Sequence, residues 1–372
     1  MSFFIIVFSI YTIINVYLFS KGWKAVVHSL FAKTTYSVIF FIFYSSFIIA
    51  MLGRNVLPLE LQKILYFIGT TWLAVMLYIT LYFLITDLIY GLSRLFRLGP
   101  QSFSSIRLYR IQVISGYAIV LIILITGYHK FTHPSIVEKE IVISKSGGKY
   151  KELKIAALSD IHLGVAIDKK KLQKYVQLIN NQKPDLILIA GDIIDNNVLP
   201  LNKERMQEEI NQLQAPLGIY FCLGNHEYLS NIESGMKFLR KTDMTLLIDS
   251  VAHVGDSFWI IGRNDKEGGY RTPLNELIAQ TNPLQPLFLL DHQPYCPEEA
   301  VKEGIDLQFS GHTHDGQLWP LNLVAKKIYE VSYGYKKIGN TQLYVSSGLG
   351  LWGPPYRIGT QSELVIFNIR FN

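Results

Sequence analysis

The first third of the chain is dominated by long apolar stretches that short polar segments separate. Four of these stretches contain no charged side chain. The first precedes Lys21, and the other three lie between Lys33 and Arg54, between Lys63 and Asp87, and between Arg110 and Lys130. Each stretch is about 20 residues long, the length that an α-helix needs to cross roughly 30 Å of hydrocarbon. Four such stretches are unusual for buried helices of a soluble protein, so the pattern predicts a four-helix transmembrane region over residues 1–130.

After residue 150 the pattern changes to short apolar runs separated by polar stretches. The runs are LKIAALSD, DLILIAGD, GIYFCLGN, FWIIGRND, PLFLLDH and DLQFSGH, and amphipathic segments at 169–182 and 202–214 lie between the first three. Such alternation of buried strands with helices predicts an α/β domain over residues 151–372. Residues 131–150, which include the turn-like sequence SKSGGKY, are interpreted as a linker.

Positive charge is concentrated in the membrane region. The chain has 35 Lys and Arg residues against 29 Asp and Glu residues, a net charge of +6. Residues 1–150 hold 13 of the basic residues and only four of the acidic ones, so the α/β domain is net acidic. A protein that grips nucleic acid needs a basic surface on its binding domain. We therefore expect no nucleic-acid partner, and we expect the lipid bilayer to be one partner.

The basic residues also predict an orientation in the membrane. Lys and Arg prefer the cytoplasmic side, and they are frequent in the first and third connections between the apolar stretches, at Lys21, Lys24, Lys33, Arg94, Arg97, Arg107 and Arg110. The opposite side holds Arg54, Lys63, Lys130, Lys139, Lys145 and Lys149, of which the last four are spread through the linker. The count favours a C-terminal domain on the outer face of the membrane.

The third apolar stretch continues beyond Asp87 towards Arg94, which makes Asp87 the only acidic residue within an apolar stretch. An ionisable residue inside a membrane is a functional candidate. Asp87 lies near the end of its stretch with Arg94 close by in sequence, so an interfacial residue that reaches the polar boundary is the favoured interpretation.

Potential metal ligands follow five of the predicted strands. The five motifs are Asp160-Ile161-His162, Gly191-Asp192-Ile193-Ile194-Asp195, Gly224-Asn225-His226-Glu227, Asp291-His292 and Gly311-His312-Thr313-His314. In open α/β sheets, ligands gather at the carboxyl ends of the strands. A D-x-H or G-N-H-E motif alone is more often a turn or a cap, and a lone G-H-T-H is moderately specific. Five motifs in order predict a site at one edge of the sheet.

Carboxylates and imidazoles together suit Mn, Fe, Zn or Co ions. Seven candidate ligands exceed the needs of one ion, unless some of them contact the substrate. Two divalent ions about 3.5–4 Å apart that share one carboxylate would use the full set, and they would act on a phosphoryl group.

The order of these motifs, D-x-H, G-D-x-x-D, G-N-H-E, a lone His and G-H-x-H, resembles that of the calcineurin-like metallophosphoesterase superfamily. The bacterial membrane-associated YkuE/YaeI-like branch is similar in a further motif, SSGLGLWGPPYRIG, at 346–359. The resemblance covers roughly residues 151–370. It implies a β-sandwich flanked by helices, with a dinuclear metal centre.

The resemblance also implies a role for each matching residue. It assigns the first metal to Asp160, His162, Asp192 and His314, and the second to Asp192, as the bridging ligand, with Asn225, His292 and His312. His226 matches the histidine that stabilises the transferred phosphoryl group or protonates the leaving oxygen, and Asp195 matches the acid that orients it. Asp315 departs from the pattern, since many relatives have glycine there.

Three further residues near the C-terminus are candidates for substrate binding. Trp352, Tyr356 and Arg357 follow a glycine-rich turn. One interpretation is a rim that contacts the organic part of the substrate, with Arg357 available to phosphate. The alternative is a structural loop that closes the fold.

Together these features predict an integral protein of the bacterial cell membrane with metal-dependent phosphoesterase activity. We expect it to hydrolyse a phosphoester or pyrophosphate bond by attack of metal-bound hydroxide, and the anchor favours a lipid-linked substrate. The alternative is a membrane sensor or transporter whose metal domain binds a ligand without catalysis, which the His226 and Asp195 pair disfavours.

Overall fold

The computed structural model describes residues 2–96 and 105–372. Arg97, one of the residues behind the orientation prediction, lies outside these ranges. The chain divides into two compact units. The first comprises Met1–Tyr128 with Pro354–Tyr356, and the second comprises His129–Gly353 with Arg357–Asn372.

The first unit contains the four predicted apolar helices. They are α1 (Ser2–Ala25), α2 (Leu30–Leu52), α3 (Leu59–Leu95) and α4 (Ile106–Thr132). All four are long and apolar enough to cross a membrane. Many of their large apolar side chains are exposed, which is the pattern expected where lipid is the surrounding solvent. The prediction of four transmembrane helices is confirmed in the number and position of these elements.

Asp87 pairs with a basic residue of another helix. Its carboxylate lies 2.5 Å from the Lys21 ammonium of α1, and the Tyr17 hydroxyl donates to it at 2.8 Å. Tyr109 of α4 donates to the carbonyl oxygen of Lys21 at 2.9 Å. The favoured sequence interpretation, an interfacial acid near Arg94, therefore missed a contact that joins α1 to α3.

The second unit is built on two six-stranded sheets. The first has the order β1-β12-β2-β3-β4-β5, with β1 (Ser135–Ile143), β2 (Glu152–Leu158), β3 (Leu186–Ala190), β4 (Ile219–Cys222), β5 (Thr245–Leu246) and β12 (Glu363–Phe371). The second has the order β10-β11-β9-β8-β7-β6, with β6 (Ser250–Val254), β7 (Phe258–Gly262), β8 (Leu287–Leu290), β9 (Leu307–Ser310), β10 (Gly334–Ile338) and β11 (Thr341–Val345).

In the order of the chain, the α-helices of this unit mostly come between one strand and the next. They are α5 (Lys169–Asn181), α6 (Leu199–Lys203), α7 (Gln207–Ile210), α8 (Asn225–Leu229), α9 (Ile232–Leu239), α10 (Leu274–Ile278), α11 (Pro297–Lys302) and α12 (Leu321–Ile328). Asp168 caps α5 by accepting a hydrogen bond from the Lys171 amide. The predicted helix at 202–214 is instead two short helices, because Arg205 adopts a left-handed conformation (φ +53°) between them.

Three apolar layers hold the unit together. Side chains of both sheets, including Leu188, Phe288 and Phe367, form the central layer. The other face of the first sheet packs against α5 through residues such as Val176. The other face of the second sheet packs against α10 and α11 through residues such as Leu277. The predicted β-sandwich flanked by helices is confirmed.

The segment interpreted as a linker contains a strand. β1 pairs in parallel with β12 along its whole length, from Ser135 opposite Glu363 to Ile143 opposite Phe371. Exposed and less exposed residues alternate along most of β1, as expected for a strand at the edge of a sheet.

The parallel strands determine where the site lies. β2, β3 and β4 run parallel in the first sheet, and β7, β8, β9 and β11 run parallel in the second. The five predicted motifs follow β2, β3, β4, β8 and β9, and the third of them continues into α8.

Candidate metal centre

All seven predicted metal ligands come together at the carboxyl ends of the strands. Asp160 and His162 follow β2, Asp192 follows β3, and Asn225 begins α8 directly after β4. From the second sheet, His292 follows β8, and the His312 and His314 pair follows β9.

Asp160, His162 and His314 form one group of potential ligands. The Nε2 atoms of His162 and His314 lie 3.2 Å apart. The Oδ1 atom of Asp160 lies 3.9 Å from the first of these nitrogens and 3.5 Å from the second. Donor atoms that share one ion, each about 2.0–2.2 Å from it, lie roughly 3–4 Å from one another. The group therefore has the spacing of a metal site.

Asp192, His292 and His312 form a second group. The Oδ2 atom of Asp192 lies 3.2 Å from Nε2 of His292. The side-chain oxygen of Asn225 lies 3.1 Å from Nε2 of His292 and 2.8 Å from Nδ1 of His312. Asn225 is thus close to both histidines of the second group.

Asp192 lies between the two groups. The same Oδ2 atom that is close to His292 lies 3.6 Å from Nε2 of His162. Its other oxygen, Oδ1, accepts a hydrogen bond from the backbone amide of His226 at 2.9 Å. One carboxylate oxygen is therefore placed where both groups can share it.

The chemistry of the cluster fits divalent cations. Asp160 and Asp192 are almost completely buried, and among the described residues no Lys or Arg forms an ion pair with either carboxylate. Burial raises the pKa of Asp160, because the buried charge has too little compensation. Buried carboxylates require a compensating charge, which metal ions would supply.

Two of the imidazoles, those of His312 and His314, are also in a suitable state for metal binding. Burial, together with the neighbouring His292, lowers the pKa of His312 to about 3, so this ring is neutral near pH 7. Burial likewise holds the pKa of His314 well below its usual value. The Nδ1 atom of His292 lies 2.7 Å from the carbonyl oxygen of Ala190, and this contact orients Nε2 towards Asp192.

Unusual backbone geometry is concentrated at the cluster. Five of the seven predicted ligands have positive φ angles between 51° and 71°, namely Asp160, His162, Asp192, His312 and His314. Residues other than glycine adopt this region at an energetic cost and cluster at functional sites. Gly191 (φ +73°) has no room for a side chain, since a Cβ atom would lie 2.7 Å from the Gly224 backbone and from His292.

His226 and Asp195 lie beside the cluster. The Nδ1 atom of His226 is 3.0 Å from the carbonyl oxygen of Asp195 and 3.5 Å from its carboxylate. The carboxylate is also 3.6 Å from Nδ1 of His162. The predicted pair is thus brought together, and its main hydrogen bond involves the backbone of Asp195.

Sequence reasoning did not assign a role to Glu227, which organises the cluster. Its buried carboxylate accepts hydrogen bonds from the backbone amides of Asp192, Ile194 and Gly224 at 3.1, 2.9 and 2.7 Å. These bonds join the loop after β3 to the loop after β4. The sequence feature that could have indicated this role is an acidic residue directly after the G-N-H triplet, at the end of a buried strand.

The three residues expected to bind substrate differ in their surroundings. Trp352 is 52% exposed, and its ring lies 6.1 Å from that of His226. Tyr356 is buried and belongs to the first unit. Arg357 is completely buried, and its guanidinium donates to the carbonyl oxygens of His314 and Gly350 at 2.9 and 2.5 Å. Of the three, Trp352 is the one that is exposed next to His226.

Comparison with known proteins gives a consistent result. The sequence profile of the calcineurin-like phosphoesterase family matches residues 153–316. An uncharacterized metallophosphoesterase of Helicobacter pylori (strain J99) is 34% identical over 249 residues, which cover 65% of this chain and 65% of the relative. The metallophosphoesterase YkuE of Bacillus subtilis is 28% identical over 66% of this chain and 89% of its own length.

The name of one vertebrate relative describes it as a transmembrane protein. The "transmembrane protein with metallophosphoesterase domain" of Danio rerio is 32% identical over 62% of this chain and 56% of its own length. The chain therefore spans less than two thirds of the Helicobacter and Danio relatives.

Proposed function

Because the chain belongs to the calcineurin-like phosphoesterase family, as its motif order predicted, we propose that it is a membrane-anchored phosphoesterase with a dinuclear metal centre. The family implies a metal-dependent phosphoester hydrolase. The observation that carries the dinuclear proposal is the position of Asp192, whose Oδ2 atom lies within 3.6 Å of both His162 and His292.

Each group of ligands has a proposed role. Asp160, His162 and His314 would hold one ion, Asn225, His292 and His312 the other, and Asp192 both. When bound, such ions activate a water molecule as the nucleophile and withdraw charge from the phosphoryl oxygens. Mn, Fe, Zn and Co all suit this set of carboxylate, amide and imidazole donors.

His226 is proposed to act on the phosphoryl group. Its Nδ1 atom is held by the backbone carbonyl of Asp195 at 3.0 Å, which leaves Nε2 to face the substrate. In that position Nε2 can donate a hydrogen bond to a phosphoryl oxygen or a proton to the leaving oxygen. The Asp195 carboxylate, 3.5 Å from Nδ1, is proposed to keep the ring in this orientation.

The substrate is proposed to be a lipid-linked phosphoester or pyrophosphate. Four helices suited to spanning a membrane support this choice, since they keep the catalytic domain close to lipid. The distribution of basic residues supports an outer-face location in a bacterial cell membrane.

The test uses the purified full chain reconstituted in lipid nanodiscs, with an aryl phosphodiester as substrate. We expect turnover with Mn²⁺, none after treatment with a chelator, and recovery when Mn²⁺ is returned. Asp192→Asn should abolish turnover, while Asp256→Asn, a matched change at a fully exposed carboxylate, should not. Turnover that survives the chelator or Asp192→Asn would contradict the proposal.

A second assay addresses the substrate class. Phospholipid-like phosphoesters and pyrophosphates are compared with soluble nucleotides at equal concentration. Preference for the lipid-linked compounds would support the proposed substrate, and action on nucleotides alone would contradict it. Metal binding without turnover of any compound would indicate the sensor or transporter instead.

A further inference from the structure

Helix α12 and the turn before it present an exposed apolar surface. This surface, the α12 surface, consists of Trp319, Leu321, Leu323, Val324 and Ile328, which are 46–61% exposed, with the exposed Lys326 and Lys327. Leu321, Val324 and Ile328 are spaced three and four residues apart, so they form one stripe along the helix. A large apolar cluster with basic residues among it marks an interaction site rather than ordinary exposed surface.

The fold holds the α12 surface in place. Ala325 is buried beside this stripe and faces the rest of the domain. α12 packs closely on the turn after His314, where a Cβ atom on Gly316 would lie 2.2 Å from the backbone nitrogen of Asn322. The Trp319 amide donates to the carbonyl oxygen of Ile358 at 2.7 Å. The apolar residues are therefore displayed on a fixed element.

The surface is connected to the proposed active site. Gln317, two residues before Trp319, donates from Nε2 to the carbonyl oxygen of Trp352 at 2.7 Å, and its Oε1 accepts the Trp352 amide hydrogen. The Trp352 ring in turn lies 6.1 Å from His226. A partner bound on the α12 surface would thus be close to the mouth of the metal centre.

We propose that the α12 surface inserts into the headgroup and acyl boundary of an anionic lipid bilayer. Its composition is that of interfacial membrane-binding helices, which combine Leu, Ile, Val and Trp with Lys. Trp prefers the membrane interface, and each Lys near an anionic surface adds attraction. Only His133 and Pro134 lie between the end of α4 and the start of β1, so the domain is tethered close to a bilayer.

This inference goes beyond the proposed hydrolysis, because it concerns lipid contact and its test does not require turnover. The full chain is placed in nanodiscs of phosphatidylcholine and phosphatidylglycerol, with or without bromine on the acyl chains. An environment-sensitive fluorophore is attached at Val324→Cys in a Cys296→Ser background, since Cys296 is the exposed cysteine and Cys222 is buried. The control label is at Leu284→Cys, an 81% exposed leucine in the connection that leads into β8 at its amino end.

We expect brominated lipid to quench the label at 324 several-fold more than the label at 284. Reversing the charge of Lys326 and Lys327 to Glu should reduce quenching at 324 and remove its dependence on phosphatidylglycerol. Equal quenching at both positions, or none at 324, would overturn the inference. So would a label at 324 that is shielded without quenching, which is the result expected if a second copy of the chain covers the surface.

Turnover of the aryl phosphodiester is measured on the same samples. If turnover is absent while the label at 324 is quenched, the proposed function fails and the lipid contact stands. If turnover is normal while the label at 324 is not quenched, the proposed function stands and the lipid contact is overturned.

Discussion

Single side chains whose hydrogen bonds cross between loops determine the geometry of the candidate metal centre. Glu227 is the best example, since it accepts three backbone amides from the loops after β3 and β4. These bonds hold the backbone of Asp192 and Gly224 in place. A buried amide left without a partner costs about 1–3 kcal/mol, so the stability of the site depends on this carboxylate.

Glu227→Gln tests this dependence. The amides of Asp192 and Gly224 both donate to Oε2, whereas in glutamine one of the two oxygens is replaced by an NH₂ group that cannot accept them. We expect the free energy of unfolding to fall by about 1–3 kcal/mol and the affinity for Mn²⁺ to weaken, as measured by thermal unfolding and metal titration. Glu233→Gln, on the exposed side of α9, is the control and should change neither. An unchanged melting temperature for Glu227→Gln would show that the three bonds contribute little.

Arg357→Lys distinguishes a positioning role from a substrate contact. Arg357 is buried with its guanidinium on the carbonyl oxygens of His314 and Gly350, an arrangement that the single ammonium of lysine cannot reproduce. We expect kcat and metal affinity to fall by about 10–100-fold, as for other residues that hold metal ligands, with little change in KM. If KM rises instead and metal affinity is unchanged, Arg357 contacts the phosphate as the sequence analysis expected.

At the scale of elements, helices α1 and α3 are joined by an ion pair. The Lys21 ammonium lies 2.5 Å from the Asp87 carboxylate, and the Lys21 side chain is only 14% exposed. In surroundings of low dielectric constant, removal of one partner leaves the other charge without compensation. The pair therefore favours one alignment of the two helices.

Lys21→Met and Asp87→Leu should each lower the melting temperature of the detergent-solubilised protein. The double variant should be closer to the wild type than either single variant, because no charge remains unpaired. We expect a coupling free energy of about 1–3 kcal/mol from the double-mutant cycle. Additive effects of the two changes would contradict a stabilising pair. Lys63→Met, at a basic residue of α3 that pairs with Glu60 of the same helix, serves as a comparison.

For the whole molecule, metal binding is expected to stabilise the fold, because the proposed ligands come from both sheets. A ligand that binds only the folded state adds about 2.7 kcal/mol when present at 100 times its Kd. Mn²⁺ should therefore raise the melting temperature and a chelator should lower it. Asp192→Asn should abolish most of this shift, whereas Asp256→Asn should retain it. A shift of equal size in both variants would place the stabilising ion elsewhere.

Much of the architecture and most of the site could be predicted from sequence. The four apolar helices follow from length and hydrophobicity, which are local properties of the chain. The seven predicted ligands meet because each motif follows a strand, and parallel strands bring their carboxyl ends to one edge. The order of these motifs was specific enough to identify the family.

The interpretations that failed concern contacts between distant parts of the chain. β1 was taken as a linker because its partner, β12, lies more than 200 residues later and nothing local to residues 135–143 reveals it. The sequence left Arg357 between a phosphate contact and a structural loop, because the carbonyl oxygens of His314 and Gly350 that it contacts come from two separate loops.

By itself, the sequence determined which residues are candidate metal ligands, which segments suit a membrane and which family the chain resembles, since these depend on residue type, spacing and local hydrophobicity. Only the tertiary structure decided that Asp192 lies between two groups of ligands, that Glu227 joins their loops, that Lys21 pairs with Asp87 and that α12 displays its apolar residues. The physical reason is that pairing and burial arise from non-local packing, which places side chains together or leaves them exposed irrespective of their separation in sequence.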